Sequence, residues 1–203
     1  MAEAGSVLWM WQTAAGANDT MVIQGQGLVG SGCMQVAKAQ GVGRVIAVDA
    51  LPLRCELARE LGADEVVDAS TGDPLEAVKL LTDGQGADVV VEAVGGRAGA
   101  AAFAQAQDML RPGGLLQVLG LYEEEPLPLY SSKIMGKRLV GSYLDASKRA
   151  EGSARTLELL ATGRIQFDKM ITHRFPYTAA AEAFDLLYNR LGETMAVLLT
   201  WDD

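Results

Sequence analysis

Met21-Val22-Ile23-Gln24-Gly25-Gln26-Gly27-Leu28-Val29-Gly30 is the segment from which the architecture follows. A short β-prone run enters a G-x-G-x-x-G turn, a helix-like stretch follows, and the apolar run Val45 to Val48 ends in Asp49, 19 positions beyond Gly30. In a strand-turn-helix context each glycine has a separate reason: Gly25 for the tight turn, Gly27 for close approach of backbone to a pyrophosphate, Gly30 for packing of helix on strand. The helix that opens at Leu28 and Val29 then aims unpaired N–H groups and its positive dipole end at the phosphates. Asp49 bears on the choice of nucleotide. Its carboxylate accepts ribose hydroxyls of NAD and repels the extra phosphate of NADP. The competing reading has Asp49 merely opening the turn before a helix started by Pro52.

Outward from this segment, strand-like and helix-like stretches alternate. Helix is expected from Leu28 to Ala39, Pro52 to Leu61, Pro74 to Leu81 and Gly99 to Leu110, and strand at Glu65 to Val67, Asp88 to Glu92 and Leu115 to Leu119. Near-continuous apolar strands between helices imply a parallel sheet covered on both faces, so the expected class is α/β, a doubly wound Rossmann sheet. The acidic, proline-bearing stretch Glu123 to Pro128 reads as a loop at the sheet's edge. Beyond it a strand is expected over Arg138 to Tyr143, helices over Asp145 to Thr162 and Tyr177 to Arg190, and a last strand over Met195 to Thr200.

An apolar fraction of 49% over 203 residues is enough for one substantial core. The net charge of −9, with no basic stripe, argues against a nucleic-acid or anionic-membrane surface. The first residues lack the pattern of a signal peptide, and no window holds 18 uninterrupted apolar residues, which together give a cytoplasmic expectation. Cys33 and Cys55 lie in expected helices and read as small buried apolar residues. With His173 the only histidine, a zinc site from this chain alone would need three distant elements to converge.

The residues resemble the cofactor-binding part of the zinc-type medium-chain alcohol dehydrogenase family. The resemblance is carried by the glycine segment, Val48-Asp49, Leu61-Gly62-Ala63-Asp64-Glu65-Val66-Val67, Asp88-Val89-Val90-Val91-Glu92, Arg111-Pro112-Gly113-Gly114 and Ile171-Thr172-His173-Arg174-Phe175-Pro176. It runs from about residue 5 to 200 of the sequence. It implies hydride transfer between an alcohol, polyol or carbonyl compound and a nicotinamide, with a zinc ion polarising the substrate oxygen. It also implies roles: Gly25, Gly27, Leu28, Val29 and Gly30 at the pyrophosphate, Asp49 and Arg54 at the adenosine ribose, Ala93 and Val94 beside the adenine-side cleft, and Leu119, Leu121 and Ser142 along the nicotinamide.

The departures from the family pattern shape the functional expectation. Members carry an additional domain before the glycine motif that supplies the zinc ligands and proton relay, whereas 24 residues precede Gly25 here. The expected organisation is therefore a remnant of the interdomain helix at 1–18, an NAD-binding Rossmann domain at 19–144, and helices and a strand at 145–203. Ala196 stands where the family commonly has Arg or Lys against the pyrophosphate. The expectation is a chain that binds NAD(H), no zinc and no nucleic acid, pairs as a homodimer through the strand at Arg138, and is silent toward alcohols by itself. Trp9, Trp11 and nearby leucines are expected to form an exposed apolar patch. The alternative is a free-standing NAD(H)-binding sensor or regulatory module. A methyltransferase reading is opposed by the C-terminal family phrases, and a short-chain dehydrogenase by the absence of a Tyr-x-x-x-Lys pair.

Overall fold

Six strands, all parallel, form the central sheet of the computed structural model, which describes residues 2–122, 126–143 and 145–201. In chain order they are β1 (Thr20–Gln24), β2 (Arg44–Asp49), β3 (Glu65–Asp68), β4 (Ala87–Glu92), β5 (Leu110–Val118) and β6 (Arg138–Gly141), arranged in space as β3-β2-β1-β4-β5-β6. The order reverses between β1 and β4. At such a switch point the crossover helices diverge to opposite faces and leave a crevice at the strands' C-terminal ends.

Helices α1 (Ala2–Thr13), α2 (Leu28–Gln40), α3 (Pro52–Glu60), α4 (Pro74–Leu81), α5 (Gly96–Met109), α6 (Ser131–Ile134), α7 (Arg149–Ala161) and α8 (Ala180–Asn189) complete the chain with β7 (Ile171–Pro176) and β8 (Ala196–Thr200). Strand alternation divides the core in two. Met21, Ile23, Val89 and Val91 point into a cluster with Cys33, Met34 and Ala37 of α2, while Val22, Ile46, Val48 and Val90 point into one with Phe103, Ala106 and Met109 of α5. The doubly wound parallel sheet thus follows the sequence expectation.

Local chemistry explains the boundaries. Pro52 and Pro74 occupy the first turns of α3 and α4, and Asp73 caps α4 by accepting from the Leu75 N–H at 2.8 Å. The phrase Arg111-Pro112-Gly113-Gly114 is absorbed into β5 as an irregularity against β4, pinned by Arg111 Nε at 2.5 Å from Asp88 Oδ1.

Three expectations change. Ile171 to Pro176, where no strand is expected from the sequence, is a strand, paired in parallel with β8 in a separate two-stranded sheet. The strand at Arg138 ends at Gly141, two residues short of Tyr143. The tryptophans do not form an exposed patch: Trp9 and Trp11 are half-buried against the core, Leu8 is buried, and α1 packs on α2 and α7. Exposed apolar surface lies instead at Leu121, Met135, Tyr188 and Trp201. Glu123 to Glu125, expected as a solvated rim, lie outside the described residues.

Candidate functional site: the cleft at the sheet's switch point

The turn after β1 is set by sterics. Gly25 has φ +90, and a Cβ there would sit 2.9 Å from the Ala93 carbonyl and the Val94 nitrogen. A Cβ on Gly30 would lie 1.8 Å from the Gly25 carbonyl oxygen, so α2 can leave the strand this closely only with glycine at that position. Gly27 is the N-cap of α2, with no side chain capping the helix and no acidic residue in its first turn. The amides of Leu28, Val29 and Gly30 belong to the first turn, which has no intrahelical acceptors for its N–H groups.

Asp49 at the tip of β2 ties this turn to the neighbouring strand. Oδ2 accepts from the Gln26 N–H at 2.6 Å and Oδ1 accepts from the Leu51 N–H at 2.8 Å. The carboxylate is buried, and the half-buried Arg54 guanidinium stands 3.9 Å from Oδ2. Each oxygen keeps acceptor capacity for a further donor. Asp49 therefore opens the turn before α3 and also lines the cleft.

That cleft has a volume of about 450 Å3. Gly25, Gly27, Asp49, Arg54, Ala93 and Val94 line it, so six of the residues singled out in the sequence converge there. Leu119 and Leu121 follow β5, Leu119 half-buried and Leu121 83% exposed, and neither lines the cleft. Ser142, just past β6, is also outside it; its hydroxyl is buried without a partner, and its N–H donates to the Val118 carbonyl at 3.1 Å. Leu28, Val29 and Gly30 stand at the start of α2 beside the cleft rather than in its wall.

Three residues in or beside the cleft escaped the sequence reading. Gln24, last residue of β1, and Gln105 of α5 both line the cleft, with Gln24 Nε2 donating to Gln105 Oε1 at 3.3 Å. A signal existed, since a polar residue at Gln24 interrupts the apolar face that Val22 begins. Glu92, last residue of β4, is fully buried; Oε1 accepts from the Val94 N–H at 2.8 Å. Burial pushes its carboxyl up to about 7, with the backbone amides of Val94, Gly95 and Gly120 opposing the shift.

The sequence profile of the zinc-binding dehydrogenase family matches residues 29–161, more than half of the chain. The chain belongs to this family. The L-threonine 3-dehydrogenase of Bacillus licheniformis is 34% identical over 179 residues, covering 88% of this chain and 50% of the relative. Among solved structures, the alcohol dehydrogenase TADH from Thermus sp. ATN1 superposes with a TM-score of 0.83 at 29% identity, over 98% of this chain and 56% of its own. A protein described as a short chain alcohol dehydrogenase from E. coli CFT073, solved with NADH, superposes with a TM-score of 0.85 at 25% identity, over 98% of this chain and 57% of its own. The chain spans about half the length of the curated relatives it matches.

The zinc that the family name implies does not fit the described residues. Among the described residues no three His, Cys, Asp or Glu side chains form a group able to hold a metal ion. Cys33 is fully buried and its thiol is pushed up to about 12 by desolvation; Cys55 is also buried and shifted upward, first by desolvation and then by Asp68 and Asp49. A thiol must lose its proton to bind zinc, which these environments oppose. His173 on β7 places Nδ1 3.0 Å from Thr172 Oγ1 and stacks on Phe175, in line with a structural role. Among the described residues no helix is long and apolar enough to cross a membrane.

Proposed function

We propose that this chain is the NAD(H)-seating part of a zinc-type alcohol or polyol dehydrogenase, and that it carries out no hydride transfer by itself. The observation that carries the reading is Asp49, locked to the glycine turn at Gln26 and facing a cleft that Arg54 also lines. In this reading Gly25, Gly27, Leu28, Val29 and Gly30 receive the pyrophosphate. Asp49 and Arg54 hold the adenosine ribose, Ala93 and Val94 border the cleft beyond it, and Leu119, Leu121 and Ser142 flank the nicotinamide. A 2′-phosphate would meet the buried Asp49 carboxylate, which favours NAD over NADP.

Zinc in a complete enzyme of this kind polarises the substrate oxygen. The chain's own part is to bind and orient the dinucleotide, and a small alcohol or carbonyl substrate is held only together with a further domain. The edge strand β6, with three of its four residues exposed, is the proposed pairing edge of a homodimer, since an unpaired edge invites a second copy. A cytoplasmic location completes the proposal.

Calorimetric titration with NAD and NADP tests the cofactor, and zinc-dependent NADH production from primary, secondary and polyol alcohols tests the silence. The expected result is NAD binding well ahead of NADP and no NADH. Equal affinities would overturn the first part, and reproducible turnover free of host dehydrogenases the second.

A further inference from the structure

The position that ends β1 is chemically odd. Along this strand Val22 faces the α5 side of the sheet, and alternation sends the side chain of Gln24 to the same side, toward Gln105. An apolar residue would continue the core there. Instead an amide is buried to 4% exposure, and its Oε1 has no hydrogen-bond partner. An orphaned buried acceptor costs about 1–3 kcal/mol. Its Nε2 is held by Gln105 Oε1, so the amide cannot simply reverse unless Gln105 reverses with it.

The surroundings state what kind of donor would relieve that oxygen. Both glutamines line the cleft, whose wall on the α5 side is built from Ala98, Ala101 and Ala102. Small side chains leave width for a flat ring, and the ribose-binding pair Asp49 and Arg54 stands in the same cleft. The last torsion of a glutamine side chain is soft, so the amide of Gln24, which already lines the cleft, is free to adjust toward a donor there.

We propose that Gln24, oriented by Gln105, is a base-selecting residue that accepts a hydrogen bond from the exocyclic amine of the dinucleotide's purine. The inference rests on the dinucleotide reading of the cleft and adds to it a choice of base. Adenine brings an N–H donor to Gln24 Oε1, whereas a 6-oxo purine brings a carbonyl oxygen and sets acceptor against acceptor. Sites built around a substrate's hydrogen-bonding group discriminate strongly against analogues that lack it.

The test compares NAD with nicotinamide hypoxanthine dinucleotide, in which the 6-amino group is replaced by oxygen, by calorimetry on the full chain. The expected result is about tenfold tighter binding of NAD. Gln24→Leu should bring that ratio close to one while leaving the NAD over NADP preference in place, because Asp49 is untouched. Gln105→Leu, on the half-buried face of α5, should lower the ratio by freeing the Gln24 amide. Binding of NAD with no preference over the hypoxanthine analogue overturns this inference alone, and needs no variant. A Gln24→Leu protein that keeps the full preference overturns it as well. Failure to bind any of these dinucleotides overturns the cofactor reading and this inference with it.

Discussion

The two ends of the proposed cofactor site are built to different degrees. At the proposed adenosine end this chain supplies floor, wall and polar contacts: the glycine turn, Asp49 bound to two backbone amides, Arg54 beside it and the alanines of α5. At the proposed nicotinamide end it supplies a half wall, with Leu121 83% exposed and the Ser142 hydroxyl unpartnered. Under the proposed function, the contrast separates the groups that would hold a cofactor from those that would take part in its chemistry. Groups that hold a nucleotide sit on rigid strand ends, whereas groups that would confine a reacting carbon need a second surface facing them.

Substitutions at the built end should therefore have large effects, and the largest is expected at Gly30. An alanine there forces its Cβ into the Gly25 carbonyl, so Gly30→Ala should cost about 3 kcal/mol or more and abolish NAD binding. Urea denaturation and calorimetry check both; a variant of unchanged stability would break the claim that this end is sterically fixed.

Glu92 comes next. Its folded-state carboxyl lies near 7, above the ordinary 4.5, so the native state holds the proton more tightly than the unfolded chain. The stability it contributes is complete below pH 4.5 and is lost as pH rises to about 7, a change on the order of 3 kcal/mol at about 1.4 kcal/mol per pKa unit. Glu92→Gln should flatten this part of the profile. Denaturation midpoints for both proteins across the range decide it, identical slopes being the adverse outcome.

Asp49 sharpens the comparison because it holds two backbone amides and is also the residue proposed to recognise the ribose. Asp49→Ala leaves the Gln26 and Leu51 amides without their acceptor, at a cost of about 1–3 kcal/mol, and should also erase the preference for NAD over NADP. Loss of stability with the preference intact would confine the residue to the turn. The smallest effect is expected at Ala196, at the start of β8. Ala196→Arg should tighten NAD binding by about 1 kcal/mol, as for a partly exposed cation near phosphate, and the gain should shrink in high salt.

Much of this protein is legible in contiguous residues. Apolar runs bounded by Gly25, Gly41, Pro52 and Gly62 mark strands and helices because turn chemistry and strand alternation act over a few positions, and the glycine spacing with Asp49 places the cleft before any contact is known. The strand Ile171 to Pro176 is harder to read, since its partner β8 begins 25 positions away and its residues are only partly buried. Long-range packing also decides that Trp9 and Trp11 settle against the core, that Glu92 is enclosed beside Val94, and that Gln24 meets Gln105 across 81 positions. The physical reason is common to all of these. Local periodicity says that a side chain leaves one face of a strand or helix, but which element covers that face, and whether a polar atom there finds a partner, is fixed only when the sheet order and the helices above it are in place.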